Sequence, residues 1–372
     1  MDISDNYFFE NDLLRYEAYL KGFNSSIFNE FNAKFEKLNI NSKIEDLFDG
    51  KNVNYTENQA AWHPKYRANI PNWPSSDLSK CLNKGLLDGV LNVIVLGIGG
   101  SFEGPKLLVE SLIGSSSDLN HLFITGSDLE EFKEKTANLK KAETLFIVSS
   151  KSFKTDETLE TLGAAIKWSG DMNKFIAITA NESEASKYNF EHIIKFDEEI
   201  GGRYSIWSDI AVPAFLDTSF EPDNFLMGGY QADLDLQNNT KYIEFIKTLS
   251  YSDIWLNNSK NKTSRAVLSY SWKLRSFADY VQQLEMESLG KQPNKNSVFQ
   301  KTGQIIFGGY GPTAQHSYFQ LLHQGTQDIC ADIIASTEDL KSLAYAQAIT
   351  QAKILSGGAD DLLQAEEKIN GN

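Results

Sequence analysis

Between residues 147 and 158 the chain reads IVSSKSFKTDET: an apolar run of β type empties into hydroxyls and a lysine, and a helix follows. Ser150, Ser152 and Thr155 carry short, stiff donors, and a helix start adds unpaired backbone N–H groups and the positive end of its dipole. Together they outline a cradle for a small anion. The competing reading is that Thr155 only caps a helix whose first turn carries Asp156 and Glu157, as capping and dipole preferences favour. The run GIGGSFEG from Gly97 must be weighed as a dinucleotide fingerprint. Gly97 and Gly99 fit its opening, but its third glycine would fall at Phe102, and no GxxxxGK loop for a nucleoside triphosphate is present. Gly99, Gly100 and Ser101 instead let the backbone turn close to a small ligand, or simply make a structural turn.

Three further segments carry groups suited to proton and charge chemistry. GGRYS, residues 201–205, sets the Arg203 guanidinium beside two permissive glycines. It suits stabilisation of an oxyanion or enediolate, or else a surface ion pair in an acid-rich protein. In YVQQLEMESLGK, Gln283 and Glu287 are four apart and share a helix face near Gly290, which can end the helix, while Glu285 points elsewhere. A carboxylate there suits proton transfer, and a solvated helix with scattered acids is the plain alternative. His316 follows the turn GGYGPT at a helix entry, and His323 lies in the same helical pattern. Imidazole exchanges a proton near neutral pH, and one of the two is expected to be only a core or hydrogen-bonded residue. His63, His121 and His192 have no metal-ligand spacing.

Positioning these groups requires a scaffold, and the apolar patterning describes one. Short β-type runs at 91–98, 121–125, 144–149, 175–179 and 192–196 alternate with helical patterns at 106–112, 130–136 and 158–168. That alternation predicts a doubly wound, mainly parallel α/β sheet, with ligands beyond the carboxyl ends of the strands, where residues 97–101 and 149–152 would both fall. Long helical segments are expected at 241–256 and 273–285, then a second α/β layer with strands at 304–307 and 329–335 and helices near 315–322 and 339–355. Before the first sheet, Leu13, Leu14, Tyr16, Leu20, Phe28, Phe31, Phe35 and Leu38 recur at roughly helical spacing and predict an N-terminal helical arm. The segment NYTENQAAWHPKYR, residues 54–67, precedes the break IPNWP and is a poor functional signal by itself.

At 372 residues, with 41% hydrophobic and 23% charged residues, the chain can bury a large core and divide into two domains. Its net charge of −15 argues against a nucleic-acid partner, although a helix start and a few cations can still hold a small anion. Cys81 and Cys330 offer neither a disulfide framework nor a zinc site, so no metal is expected and both read as buried bystanders. The acidic start MDISDNYFFENDLL is unlike a signal peptide, and no apolar run approaches membrane-spanning length, which predicts a cytoplasmic protein without a membrane partner.

Taken in order, NYTENQAAWH, VLGIGGSFEGPKLL, SSKSFKTDETL, IGGRYSIWS, QQLEMESLGK, TGQIIFGGYGPTAQHSYFQLLHQGT and LAYAQAITQAK resemble the glucose-6-phosphate isomerase (phosphoglucose isomerase) family. The resemblance implies two αβα sugar-isomerase (SIS-type) domains, at residues 59–215 and 216–372, behind the arm at 1–58, with the second C-terminally incomplete. It implies cofactor-free interconversion of glucose 6-phosphate and fructose 6-phosphate through a cis-enediolate. Ser150, Lys151, Ser152 and Thr155 would hold the phosphate, and Gly100, Ser101 and Gly202 would border the sugar. Arg203 would steady the enediolate, Gln283 would orient the substrate and Glu287 would carry the proton between C1 and C2. His316 matches the ring-opening histidine, which in the family reaches across from a partner subunit, so a homodimer is implied. Ser152 stands where many members have threonine, and Gly309 and Ala314 replace more polar residues. The family continues past an N-G-N-like turn into a segment with a catalytic lysine and a substrate-contacting glutamine, and Lys353 is not assigned that lysine's role. The alternatives are another sugar-phosphate isomerase or a non-catalytic phosphosugar-binding protein.

Overall fold

A computed structural model describes residues 5–68, 85–113, 117–216 and 222–358, which divide into two compact units. One is drawn from Asp46–Gln231, the other from Met1–Glu45 with Ala232–Asn372. The IPNWP break, Cys81 and the stretch from residue 359 onward lie outside the described residues.

In sequence order, ten strands are described: β1 (Asn6–Glu10), β2 (Arg15–Tyr19), β3 (Asn92–Leu96), β4 (Asn120–Ile124), β5 (Thr144–Ser149), β6 (Phe175–Thr179), β7 (His192–Lys195), β8 (Ser264–Ser269), β9 (Ile305–Tyr310) and β10 (Ile329–Ile334). The Asp46–Gln231 unit holds a five-stranded parallel sheet in the order β4-β3-β5-β6-β7. β3, β5 and β6 are buried along their whole length, as their continuous Val, Ile, Leu and Phe runs require of strands covered on both faces. Phe146 stacks on Phe175 with ring centroids 4.8 Å apart, and Phe153 and Phe190 extend the same core. The chain starts at β3, steps outward to β4, then returns across β3 to β5. That reversal is the topological switch point at which open α/β sheets bind ligands, and it puts the loops after β3 and β5 side by side.

The second unit has a three-stranded parallel sheet, β10-β8-β9, with β8 in the middle. β8 departs from the sequence reading, which assigned no strand there. Its apolar stretch is short and opens on Arg265, a residue normally solvated. Here Arg265 is only 6% exposed, because Asp253 at 2.9 Å, Asp332 at 3.5 Å and Glu285 surround its guanidinium. Burial pushes the Asp253 carboxyl up to about 6, against the pull of Arg265. Glu285 thus points away from the face that carries Gln283 and Glu287, as the helical spacing predicts.

The N-terminal arm is corrected in part. Residues 6–19 form the antiparallel hairpin β1–β2 rather than helix, and helices follow at Ser25–Lys37 and Ile40–Phe48. Asn11 Oδ1 accepts from the N–H groups of Leu13 and Leu14, closing the hairpin turn and leaving both leucines exposed. Tyr16, counted in that spacing, instead packs from β2 edge-on against Phe245 of the helix Thr240–Asn258 at 5.3 Å, while Phe31, helical as expected, stacks on Tyr251 of the same helix at 5.6 Å. Two more helical readings shift. The helix Pro222–Asn238 falls in a stretch to which no element was assigned from sequence, and the helix expected near 315–322 is split into Gly311–Ala314 and Phe319–Gln324, with His316 in the link. Among the described residues no helix is long and apolar enough to cross a membrane. Cys330 is half-buried, which pushes its thiol up to about 11.

Candidate active site

The loops beyond β3 and β5 border an open cavity of about 550 Å³, whose lining residues all belong to the Asp46–Gln231 unit. Gly100, Ser101, Ser150, Lys151, Ser152, Thr155 and Gly202 all line it. GIGGS and GGRYS are thereby joined into one construction, although about a hundred residues separate them in the chain. A Cβ on Gly100 would sit 2.0 Å from the carbonyl oxygen of Gly202, so only glycine permits this approach. Ser205 holds the two turns together, its hydroxyl lying 2.6 Å from the Gly202 carbonyl and 3.1 Å from that of Gly100.

The hydroxyl loop is fixed by its own hydrogen bonds. Ser150 is 4% exposed; its N–H donates to the Ile178 carbonyl at 3.1 Å, and its Oγ accepts from the Phe153 N–H at 3.1 Å. Ser152 Oγ accepts from the Lys154 N–H at 3.2 Å. Phe153 takes φ +52°, a left-handed conformation uncommon for an aromatic residue, and its ring is buried in the sheet core, which holds the turn in place. Thr155 occupies the cap position of the helix Asp156–Ser169, yet its hydroxyl makes no capping hydrogen bond. It lies 3.3 Å from Ser150 Oγ and lines the cavity instead. Lys151 reaches the Ile200 carbonyl at 3.1 Å; burial lowers its ammonium below the usual range, with Glu198 and Glu57 acting the other way.

Arg203 adjoins the cavity-lining Gly202 and is itself 4% exposed, so the surface ion pair considered for it does not describe its setting. Its Nη1 and Nη2 donate to Glu57 Oε1 at 3.3 and 3.2 Å, and its guanidinium lies over the Tyr204 ring. Glu57 sits in a tight turn closed by reciprocal backbone hydrogen bonds between Asn54 and Gln59, and Gln59 also lines the cavity. This turn was legible only as a weak motif. Its ion pair spans 146 residues, a distance over which one sequence carries no pairing signal.

The other predicted residues belong to the second unit. On the helix Phe277–Leu289, Gln283 Nε2 donates to Glu287 Oε2 at 3.1 Å, so the two share one helix face, and Glu287 is exposed. His316 is exposed in the link between two short helices, its N–H bonded to the Thr313 carbonyl at 3.1 Å. His323 is the hydrogen-bonded histidine of the pair: its Nε2 is 3.0 Å from Gln351 Oε1, and burial lowers its pKa. Among the described residues no group of three or more His, Cys, Asp or Glu is arranged to hold a metal ion.

Residues 83–358 match the family described as phosphoglucose isomerase. The chain belongs to the phosphoglucose isomerase family. A glucose-6-phosphate isomerase of Pseudomonas fluorescens is 33% identical to it over 366 residues, which cover 87% of this chain and 66% of the relative. The chain therefore spans about two thirds of the length of that curated relative. Among solved structures, a glucose-6-phosphate isomerase from Chlamydia trachomatis superposes with a TM-score of 0.81 at 24% identity, covering 93% of this chain and 75% of the other. Tagatose-6-phosphate ketose/aldose isomerase from Escherichia coli gives 0.52 at 13% identity, covering 79% and 74%. Both likenesses are of fold, and they place this phosphoglucose isomerase family member among mixed α/β proteins with mainly parallel sheets.

Proposed function

We propose that the chain interconverts D-glucose 6-phosphate and D-fructose 6-phosphate, without a cofactor, by ring opening and proton transfer through a cis-enediolate. The observation that carries this reading is the cavity at the sheet's switch point, where Ser150, Ser152, Thr155 and Lys151 converge on a helix start whose leading hydroxyl is not spent on capping. Hydroxyls, an ammonium and free helix N–H groups together suit a dianionic phosphate. On this reading Gly100, Ser101 and Gly202 border the sugar, and Arg203 steadies the negative charge that develops on the enediolate oxygens. With Gln283 orienting the substrate, Glu287 takes the C2 proton of the open aldose, the C–H electrons form the C1–C2 double bond and the C1 carbonyl electrons pass to its oxygen; return of the proton to C1, with transfer of the O2 proton to O1, leaves the carbonyl at C2. His316 assists ring opening by exchanging a proton with the ring oxygen.

The cradle is tested by replacing Ser150 and Thr155 together with alanine. Two hydrogen bonds to a charged group contribute about 1.5–3 kcal/mol each, so affinity for glucose 6-phosphate should fall about 10²- to 10⁴-fold while affinity for glucose is unchanged. Equal losses for both sugars, measured by calorimetry, would sink the phosphate assignment.

A homodimer is part of the proposal. Its support is the family resemblance of His316 to a histidine used across a subunit boundary, together with the exposed link that carries His316. Sedimentation should give twice the chain mass, and a monomer that keeps its turnover on dilution would contradict it.

A further inference from the structure

We propose that Gln59 and Ser149 form an uncharged recognition wall in the cavity, which takes hydroxyl groups of the sugar body while the Ser150–Thr155 loop takes the phosphate. The assignment rests on the isomerase reading and makes these two residues determinants of which phosphate ester binds.

Two buried atoms support it. Ser149 is 1% exposed at the carboxyl end of β5, and its Oγ has no hydrogen-bond partner among the described residues. The Oε1 of Gln59 is likewise buried and unpartnered, and both residues line the same cavity. Buried polar atoms are almost always paired, because leaving one unpaired costs its full desolvation penalty. Comparable positions in this protein obey the rule. Thr179, at the end of β6, donates its hydroxyl to the Lys151 carbonyl at 3.2 Å and accepts from the Asn181 N–H at 3.0 Å. Ser269, at the end of β8, closes a turn onto Ser271 in the same way. Asn181 shares the cavity wall, but its amide is consumed by the Ser152 carbonyl and the Ser183 hydroxyl. Strand-end hydroxyls and wall amides can therefore satisfy themselves locally in this fold. Ser149 and Gln59 do not.

Chemistry narrows what they receive. A carboxamide oxygen only accepts, so it repels a phosphate oxygen, and a serine hydroxyl both donates and accepts. A ligand group that complements both is itself a hydroxyl, several of which a sugar phosphate carries. Gln59 is also well anchored, its backbone pairing with Asn54 in both directions at 3.0 and 3.1 Å, so its side chain is presented from a fixed turn.

The test compares glucose 6-phosphate with inorganic phosphate as calorimetric probes of the full chain, using Gln59→Met and Ser149→Ala. Each variant should weaken glucose 6-phosphate about 10-fold and leave inorganic phosphate within about twofold, since each removes one buried hydrogen bond to the sugar alone. Ser149→Ala should also melt at the same temperature as the parent or higher, because it deletes an unpaired buried hydroxyl. Glucose 6-phosphate affinity within twofold of the parent in both variants would overturn the assignment. So would parallel losses for both probes, or a Ser149→Ala protein that melts several degrees lower, which would mark a structural role. A parent protein that binds neither probe would defeat the isomerase reading and this assignment with it, whereas the preceding outcomes defeat the assignment alone.

Discussion

Glu287→Gln is expected to lower turnover by about 10²–10⁴-fold, the usual contribution of a positioned general base. The substitution keeps the side-chain length and an oxygen for Gln283 Nε2, now 3.1 Å from Glu287 Oε2, so the helix face should survive intact. What it removes is the capacity to hold a proton between two carbons. Loss should therefore fall on kcat rather than on KM, and affinity for the sugar phosphate should largely persist. The decisive measurement follows exchange of the substrate C2 proton with solvent deuterium by NMR, beside the isomerisation rate. Disappearance of both with affinity retained supports the base. Retention of exchange in Glu287→Gln would return Glu287 to the status of a solvated surface acid.

A comparably large effect is expected from Gly100→Ala, here on folding. The new methyl would lie 2.0 Å from the Gly202 carbonyl oxygen and 2.3 Å from its carbon, both backbone atoms with no side-chain freedom to yield. Overpacking of this kind typically costs 1–3 kcal/mol and occasionally more, so about 3 kcal/mol is expected, or a fall in Tm on the order of 10 °C. Gly202→Ala is the built-in control: a Cβ there meets nothing within 4 Å. It should leave Tm within a degree or so while narrowing the cavity. Equal melting temperatures for the two variants would show that the turns after β3 and around Gly202 are not locked as described.

Much of this arrangement was legible because local and global signals agree. β5 is a pure apolar run ending in hydroxyls, and it lies where its pattern places it, from Thr144 to Ser149. The i, i+4 spacing of Gln283 and Glu287 translates directly into a hydrogen bond. Where tertiary partners decide the outcome, the reading stops. Arg265 makes β8 look like a polar break, and only Asp253, Glu285 and Asp332, drawn from three other elements, explain its burial. The hairpin β1–β2 was masked because Leu13, Leu14, Tyr16 and Leu20 continue the spacing of the true helix that follows, and only packing of Tyr16 on the helix Thr240–Asn258 sets the segment apart. Glu57 and Gln59 stayed hidden for different reasons. Glu57 depends on an arginine far along the chain, and Gln59 is distinguished by a bond its side chain does not make.

The hydroxyl of Thr155 faces Ser150 and the cavity, so the helix Asp156–Ser169 begins without the side-chain cap that a threonine in that position commonly supplies. On the proposed reading the phosphate completes that helix, and the metabolite becomes a structural part of the protein that isomerises it. Occupancy and folding are then linked by mass action: sugar phosphate at a hundred times its dissociation constant would add about 2.7 kcal/mol to the stability of the folded chain. On that reading, sugar phosphate would lower the fraction of the chain open to proteolysis in step with its occupancy of the cradle.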